Sequence, residues 1–162
     1  APPAGAALPD LEPKTLVLVE HKASGLVLEH VRDNGFDKVL LAPKVGKKRP
    51  AQCWALEREE AGVVFVNAGN GLQMRARNAG PNSHALGLYR GDAARETPDG
   101  ALFPVTETRR EVVIACRASY AADRVLAAAE RKVKGVTTHE PSFEPKESPP
   151  TPAQLWVVTE AK

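Results

Sequence analysis

Hydrophobic residues occur along this chain in short runs rather than in long amphipathic stretches. The runs at residues 15–19 and 39–42 are β-branched and aliphatic, which is typical of buried strands. Between them, the apolar residues of segment 26–31 follow helical spacing, and Asn34-Gly35 is typical of a helix C-terminus. This part of the sequence predicts a β-α-β unit.

The middle of the chain has shorter apolar segments separated by turn-forming residues. Strands are predicted over residues 63–66, 72–77 and 85–89, and the Asn- and Gly-rich stretches between them predict an antiparallel meander. A further strand is predicted over residues 111–115. The alanine-rich segment 121–134 has one apolar stripe and basic residues near its end, which predicts a helix.

The C-terminal part is first proline-rich and then apolar. Five prolines among charged residues in segment 138–152 predict an extended tether. In a following strand, Leu155 and Val157 would lie on one face, with Trp156 and Val158 on the other. Both faces need cover, so the strand either completes the sheet of its own chain, which is favoured, or joins a neighbouring chain with Trp156 as anchor.

These elements predict a two-layer α/β protein with proline-rich ends. The predicted parts are an extended arm over residues 1–13, an α/β domain over residues 14–137, and a tether with a docking strand over residues 138–162. No internal repeat is expected. The start at Ala1, without methionine, fits a processed product or a partial chain, and both alternatives stay open.

Composition and charge narrow the possible functions. The chain has 22 basic and 20 acidic residues and a formal charge of +2, far from the excess that drives strong nucleic-acid binding. No apolar run approaches the roughly 20 residues of a membrane-spanning helix. Cys53 and Cys116 form no paired motif, and His30, His84 and His139 share no ligand spacing, so neither a disulfide framework nor a metal site is predicted.

One dense basic cluster is a candidate contact surface. It consists of Lys44, Lys47, Lys48 and Arg49, and it could meet an acidic protein surface, RNA or anionic lipid. Protein contact ranks above nucleic acid because no aromatic residues interleave the cluster. A solvated loop is the alternative interpretation.

Catalytic candidates are weak. Glu20 and His21 end the first predicted strand, where an acid-base pair could lie, but adjacent strand residues point to opposite faces. Cys53 follows the basic cluster, where positive charge could lower the pKa of its thiol. A buried, unreactive cysteine is the favoured interpretation, and no catalytic residue is predicted.

Four segments share motifs with one known family, in collinear order. Residues 68–73 have the sequence Ala-Gly-Asn-Gly-Leu-Gln, and residues 88–94 have the sequence Leu-Tyr-Arg-Gly-Asp-Ala-Ala. Residues 15–21 and 35–42 provide the two earlier matches. Together they resemble the N-terminal region of electron transfer flavoprotein alpha subunits, whose strands include a Tyr-Ala-Gly-Asn-Ala motif. The resemblance implies a reduced Rossmann-like sheet with flanking helices.

The same resemblance implies that flavin binding is lost. The family's Ser-Gly-Gly-Arg-Gly turn corresponds to the end of segment 112–119, where Arg117 is retained as a family remnant. Side chains in place of the glycines would crowd a phosphate-binding turn. No cofactor is therefore expected.

The resemblance implies a non-catalytic structural subunit of a larger respiratory or energy-metabolism complex on the matrix side of mitochondria, with other protein subunits as partners. The expected partner-binding residues are Lys47, Lys48, Arg49, Leu155, Trp156 and Val157. One alternative is a flavin- or nucleotide-dependent electron-transfer component. Another is a mitochondrial ribosome-associated RNA-binding protein that uses the basic cluster with Arg75, Arg77, Arg109 and Arg110. A third is an unrelated α/β domain.

Overall fold

A computed structural model describes residues 15–33, 35–59, 62–77, 85–107, 111–118, 123–133 and 135–161. The strands within these residues are β1 (Leu16–His21), β2 (Val27–Asp33), β3 (Phe36–Ala42), β4 (Trp54–Glu59), β5 (Gly62–Asn67), β6 (Gln73–Ala76), β7 (Leu86–Tyr89), β8 (Val105–Glu107), β9 (Val112–Ile114), β10 (Arg124–Val133), β11 (Val136–Pro145) and β12 (Trp156–Glu160). The short helices are α1 (Ala93–Glu96) and α2 (Pro98–Ala101), with 3-10 turns at Pro50–Gln52 and Pro152–Gln154. No helix in the described ranges is long and apolar enough to cross a membrane.

Six of the described strands close into an antiparallel barrel. β1 pairs with β4, β4 with β5, β9 with β12, and β12 with β1. The remaining side is closed by a bridge between Val63 and Phe103 and by the pairing of β8 with β9. Closure pairs strands that would otherwise be open edges, so the first and last barrel strands stabilise each other.

The other six strands form hairpins: β2 with β3, β6 with β7, and β10 with β11. In the first hairpin, Asp33 pairs with Phe36 across a tight turn. Gly35 in that turn and Gly135 in the equivalent turn of the third hairpin both have φ of 80°. Glycine adopts this conformation without strain, and such short turns match the twist of antiparallel strands.

The described residues contain one four-strand unit three times: unit 1 is β1–β4, unit 2 is β5–β8, and unit 3 is β9–β12. The contact between the first barrel strand and the hairpin recurs as Glu20 with Val27, Val66 with Gln73, and Ala115 with Val125. The aromatic residue that closes each unit lies opposite a valine, as Trp54 with Val17, Phe103 with Val63, and Trp156 with Val112. The expectation of no internal repeat is therefore wrong.

Three aromatic rings fill the junction between the barrel and the hairpins. Trp54, Phe103 and Trp156 are all at most 1% exposed. The indole N–H of Trp54 donates to the Leu28 carbonyl at 3.2 Å, and that of Trp156 donates to the Leu126 carbonyl at 2.9 Å. Each tryptophan therefore buries a large apolar surface and satisfies its polar group on a hairpin backbone.

A buried glutamine clamps the turn before each tryptophan. Gln52 accepts a hydrogen bond from the backbone N–H of Val45 and donates one to the Pro43 carbonyl, both at 2.8 Å. Gln154 makes the equivalent two bonds, at 3.2 and 2.8 Å. In unit 2 the position belongs to Ala101, which precedes Phe103 by the same two residues. The two glutamine hydrogen bonds therefore occur in units 1 and 3, which are the units with a tryptophan.

The predicted α/β class, with its Rossmann-like sheet, is wrong. Residues 27–31 of the predicted first helix lie in β2, and residues 124–133 of the predicted second helix form β10. Gly35 and Gly135 serve in hairpin turns rather than as helix C-caps; both roles require positive φ, so the glycine alone does not distinguish them. Cross-strand pairing overrides the helical preference of the alanine-rich segment.

Several strand predictions are confirmed. Predicted strands correspond to β1, β3, β5, β6, β7 and β9, and the predicted meander is the antiparallel run of β5, β6 and β7. The C-terminal strand pairs with β1 of its own chain, as favoured. The boundary predicted between residues 137 and 138 falls inside β11, which also takes up much of the expected tether. The arm of residues 1–13 lies outside the described residues.

Replacing Gln52 with alanine would deprive the Val45 N–H and the Pro43 carbonyl of their hydrogen-bond partner. We expect Gln52→Ala to lose about 2 kcal/mol of unfolding free energy in urea denaturation. Lys48→Ala, exposed on the same turn, is the matched control and should change stability by less than about 0.5 kcal/mol. Equal stabilities of Gln52→Ala and the unchanged protein would show that the turn does not depend on the clamp.

Candidate functional site

The three hairpins share one backbone arrangement but differ in the side chains near the barrel. The equivalent cross-strand pairs are Val27 with Ala42, Gln73 with Tyr89, and Val125 with Glu144. Two positions further along the first hairpin strand lie Glu29, Arg75 and Ala127. Among these described positions, unit 2 alone combines an aromatic ring with polar side chains. We therefore place the candidate site on the hairpin of unit 2.

Tyr89 gives this hairpin a partly exposed aromatic surface. The other phenylalanine, tyrosine and tryptophan side chains that the structure describes are buried. The guanidinium carbon of Arg75 lies 5.1 Å from the Tyr89 ring centroid, within range of a cation–π contact. Arg75 pairs in register with Gly87, which has no side chain to separate Arg75 from Tyr89 on that face.

Further polar side chains surround Tyr89. Gln73, directly opposite Tyr89, donates its amide N–H to Asp92 Oδ1 at 3.4 Å. A Cβ atom at Gly91 would lie 2.6 Å from Glu96 Oε2 and 2.9 Å from Tyr89 Cε1, so glycine is needed for the glutamate and the ring to approach this closely. The Tyr89 cluster, as we name it, consists of Gln73, Arg75, Tyr89, Asp92 and Glu96.

The Tyr89 cluster offers an aromatic surface together with an amide, two carboxylates and a guanidinium. An aromatic ring packs against apolar C–H groups, carboxylate oxygens accept hydrogen bonds from hydroxyl groups, and guanidinium and amide groups donate them. Binding sites for small polar molecules combine such groups in this way. The arrangement therefore suits a ligand with an apolar face and hydroxyl groups around its edge.

The polar side chains at the equivalent positions of units 1 and 3 form hydrogen bonds with other residues of their own unit. In unit 1, Glu29 accepts hydrogen bonds from Arg49 at 3.3 Å and from Gln52 at 3.4 Å. In unit 3, Glu144 accepts one from the Ser142 hydroxyl at 3.0 Å. Neither hairpin has an aromatic side chain at the Tyr89 position.

The basic cluster predicted for partner binding lies on a tight surface turn of unit 1. The Gly46 carbonyl accepts a hydrogen bond from the Arg49 N–H at 3.0 Å, which places Lys47 and Lys48 at the tip of the turn. Lys44 and Arg49 each form an ion pair with a glutamate, at 2.9 and 3.3 Å. The two lysines at the tip are exposed. The turn thus presents positive charge to solvent.

The apolar residues predicted for partner binding lie in or next to β12. Trp156 is 0% exposed, and Leu155 and Val157 are partly buried. Because β12 pairs with both β1 and β9, its backbone is used inside the barrel. Trp156 accordingly has no exposed surface to offer a partner.

Glu20 and His21 do not form an acid-base pair. His21 is buried, and its Nε2 lies 2.9 Å from the Ala153 carbonyl oxygen. Asn67 and Cys116 occupy the equivalent positions in units 2 and 3, and they contact the Ala51 and Asp99 carbonyls, in the short helical turn of the preceding unit, at 3.0 and 3.6 Å. The carboxylate of Glu20 pairs instead with a lysine. His21 therefore joins neighbouring units.

The remaining candidates from the sequence are dispersed. Arg117 is exposed, and its guanidinium lies 3.7 Å from the Asp99 carboxylate. His30 Nε2 lies 2.7 Å from Asp37 Oδ1, and His84 is outside the described residues. Across the part of the chain that the structure covers, no three potential metal ligands cluster together.

A six-stranded barrel with three equivalent hairpins defines the β-trefoil fold, and solved structures agree. The BEL β-trefoil in its apo form is 17% identical with a TM-score of 0.68, over 97% of this chain and 99% of that chain. The designed three-fold symmetric protein ThreeFoil is 13% identical with a TM-score of 0.65, over 90% and 98%. A mutant of the earthworm lectin C-terminal domain, in complex with 6'-sialyllactose, is 16% identical with a TM-score of 0.57, over 91% and 99%.

These identities show a shared fold and no more. No protein-family model matches the chain, and no curated protein matches it in sequence. The resemblance to electron transfer flavoprotein alpha subunits is wrong, because the structural neighbours are β-trefoils with antiparallel sheets. Segment 68–73 joins β5 to β6 at the position where segment 22–27 joins β1 to β2 in unit 1. Arg117 is therefore not a flavin-turn remnant.

One sequence signal would have revealed the repeat. Pro-Ala-Gln is followed by any residue and then Trp at both 50–54 and 152–156, and a string recurring at equivalent places marks a repeated unit. The Tyr89 cluster had no such signal. Its members lie on two strands, a loop and helix α1, and only the register of β6 with β7 brings Gln73 opposite Tyr89.

Burial raises the pKa of the Cys53 and Cys116 thiols above their ordinary value of 9.0, with Lys47 opposing the shift at Cys53. We expect a disulfide reagent at about pH 8 to label the native protein at least about tenfold more slowly than the urea-unfolded protein. Because the folded-state pKa is raised, the two thiols contribute stability that is full below the unfolded-state pKa and is lost as pH rises through the folded-state pKa.

The measurement is the absorbance of the released thiolate, followed at the same reagent concentration for both states. Cys53→Ala and Cys116→Ala variants assign the rate to each position. Native labelling as fast as unfolded labelling would contradict the burial of these thiols.

Proposed function

We propose that this protein is a non-catalytic carbohydrate-binding module and that the Tyr89 cluster is its binding site. The observation that carries the proposal is the difference between equivalent hairpins. Units 1 and 3 form the same backbone without a tyrosine at this position, so Tyr89 is not required by the fold. A partly exposed aromatic ring with convergent polar groups is better explained by a ligand.

The chemistry of a sugar matches the cluster. One face of a pyranose carries several C–H groups, which pack against an aromatic ring, while its hydroxyl groups both donate and accept hydrogen bonds. Asp92 and Glu96 offer acceptors beside Tyr89, and Gln73 already orients Asp92 through its amide. A charged acceptor forms a stronger hydrogen bond with a hydroxyl group than a neutral acceptor does.

The structural neighbours support this class of ligand. One of them is a lectin domain described in complex with 6'-sialyllactose, and it spans nearly the same length as this chain. Fold alone does not determine function, so the Tyr89 cluster and not the neighbour carries the proposal.

A binding role fits better than catalysis. Asp92 and Glu96 are exposed to water, whereas catalysis on a bound sugar is favoured by a site that excludes water. The expected protein partners and mitochondrial location depended on the flavoprotein resemblance; they stay untested predictions and form no part of this proposal.

A glycan array, followed by isothermal titration calorimetry with the best glycan, tests the proposal. We expect Tyr89→Ala to weaken binding by about tenfold or more, because the aromatic packing surface is lost. Glu144→Ala changes the equivalent position of unit 3 and should alter affinity by less than about twofold.

Thermal unfolding of each variant shows whether it is folded before its affinity is compared. Absence of binding to every glycan on the array would contradict the proposed function. Undiminished binding by a folded Tyr89→Ala variant would contradict the proposed site.

A further inference from the structure

Arg75 is a partly buried guanidinium whose charge is not neutralised. Within the described part of the chain, its guanidinium has no hydrogen bond or ion pair, and it lies over the Tyr89 ring. Three of the other described arginines show the opposite arrangement. Arg49, Arg58 and Arg117 are more exposed, and each lies within 4 Å of a carboxylate oxygen.

The nearby carboxylates do not neutralise Arg75. Asp92 Oδ1 accepts hydrogen bonds from the Gln73 amide and from the Arg95 backbone N–H, at 3.4 and 3.3 Å. Glu96 lies against Gly91, and it forms no ion pair with Arg75 among the described residues. The cluster therefore presents separate negative and positive groups around one aromatic ring.

The orientation of Arg75 is fixed by its surroundings. The ring of Tyr89 lies under the guanidinium. Opposite Arg75, the position where a Cβ of Gly87 would stand lies 2.9 Å from Arg77 Cδ, so the Arg77 side chain packs beside Arg75 on this face. A guanidinium stacked in this way keeps its N–H groups directed along its own plane, where they can donate two parallel hydrogen bonds to one carboxylate. Withdrawal from water makes such a pair stronger than it would be on an open surface.

We propose that the ligand of the Tyr89 cluster is an acidic sugar, whose carboxylate binds Arg75 through two hydrogen bonds while its hydroxyl groups bind Asp92 and Glu96. This inference rests on the proposed function and specifies its substrate class. The two carboxylates repel a simple anion, so charge alone does not suffice for binding. A ligand must bring its carboxylate to Arg75 and its hydroxyl groups to the acidic side.

Matched pairs of probes test the proposal by calorimetry on the full chain: 6'-sialyllactose against lactose, and glucuronate against glucose. In at least one pair, we expect the acidic member to bind about tenfold more tightly or better, and acetate alone not to bind. The preference should weaken at high ionic strength, though less than for a fully exposed ion pair.

Variants assign the preference to Arg75. Arg75→Gln should remove the difference between acidic and neutral members, while Arg75→Lys, which keeps the charge but lacks the planar fork, should retain only part of it. Arg124→Gln is the control, because Arg124 is exposed on the hairpin of unit 3, outside the Tyr89 cluster. It should change each affinity by less than about twofold.

The outcomes separate the two proposals. Equal or tighter binding of the neutral sugars, lost in Tyr89→Ala, would overturn the acidic-sugar inference and leave the proposed function intact. A preference for sulfated over carboxylated glycans, or equal losses for both probes in Arg75→Gln, would also overturn it. Failure to bind any glycan would overturn both proposals.

Discussion

The fold depends on burying one large aromatic ring at each junction between the barrel and a hairpin. Trp54, Phe103 and Trp156 fill these junctions, and in two of them the indole N–H also reaches a hairpin carbonyl. A hairpin alone is only marginally stable in water, so its attachment to the barrel decides whether it forms. These contacts hold each hairpin in a fixed register relative to the barrel, and that register decides which side chains lie next to each other.

The same constraints leave the outer faces of the hairpins free to differ. Interior positions repeat because each unit must fit the same barrel; His21, Asn67 and Cys116, for example, all contact a carbonyl in the short helical turn of a neighbouring unit despite their different chemistry. On the outer faces, nothing in the barrel requires a particular side chain. A binding site can therefore be assembled on one hairpin, as at Tyr89, without changes to the core.

The sequence predicts local elements better than their arrangement. Runs such as residues 63–66 are recognisable because a strand buried on both faces has few polar residues. Glycines at positive φ, such as Gly35 and Gly135, are compatible with either a hairpin or a helix end, and the wrong choice produced an α/β fold. The Tyr89 cluster was not predictable, since it exists only once strand register is known.

Unit 2 carries the Tyr89 cluster, and it has Ala101 and Phe103 where the other units have a glutamine and a tryptophan. Neither replacement supplies a side-chain hydrogen bond, so unit 2 lacks the polar contacts that a glutamine and a tryptophan make at these two positions in the other units. Regions with fewer such contacts open at lower free energy, and their amide hydrogens exchange sooner. Ligand capture at β6 and β7 would then oppose such local opening, and part of the binding energy would be spent on that ordering.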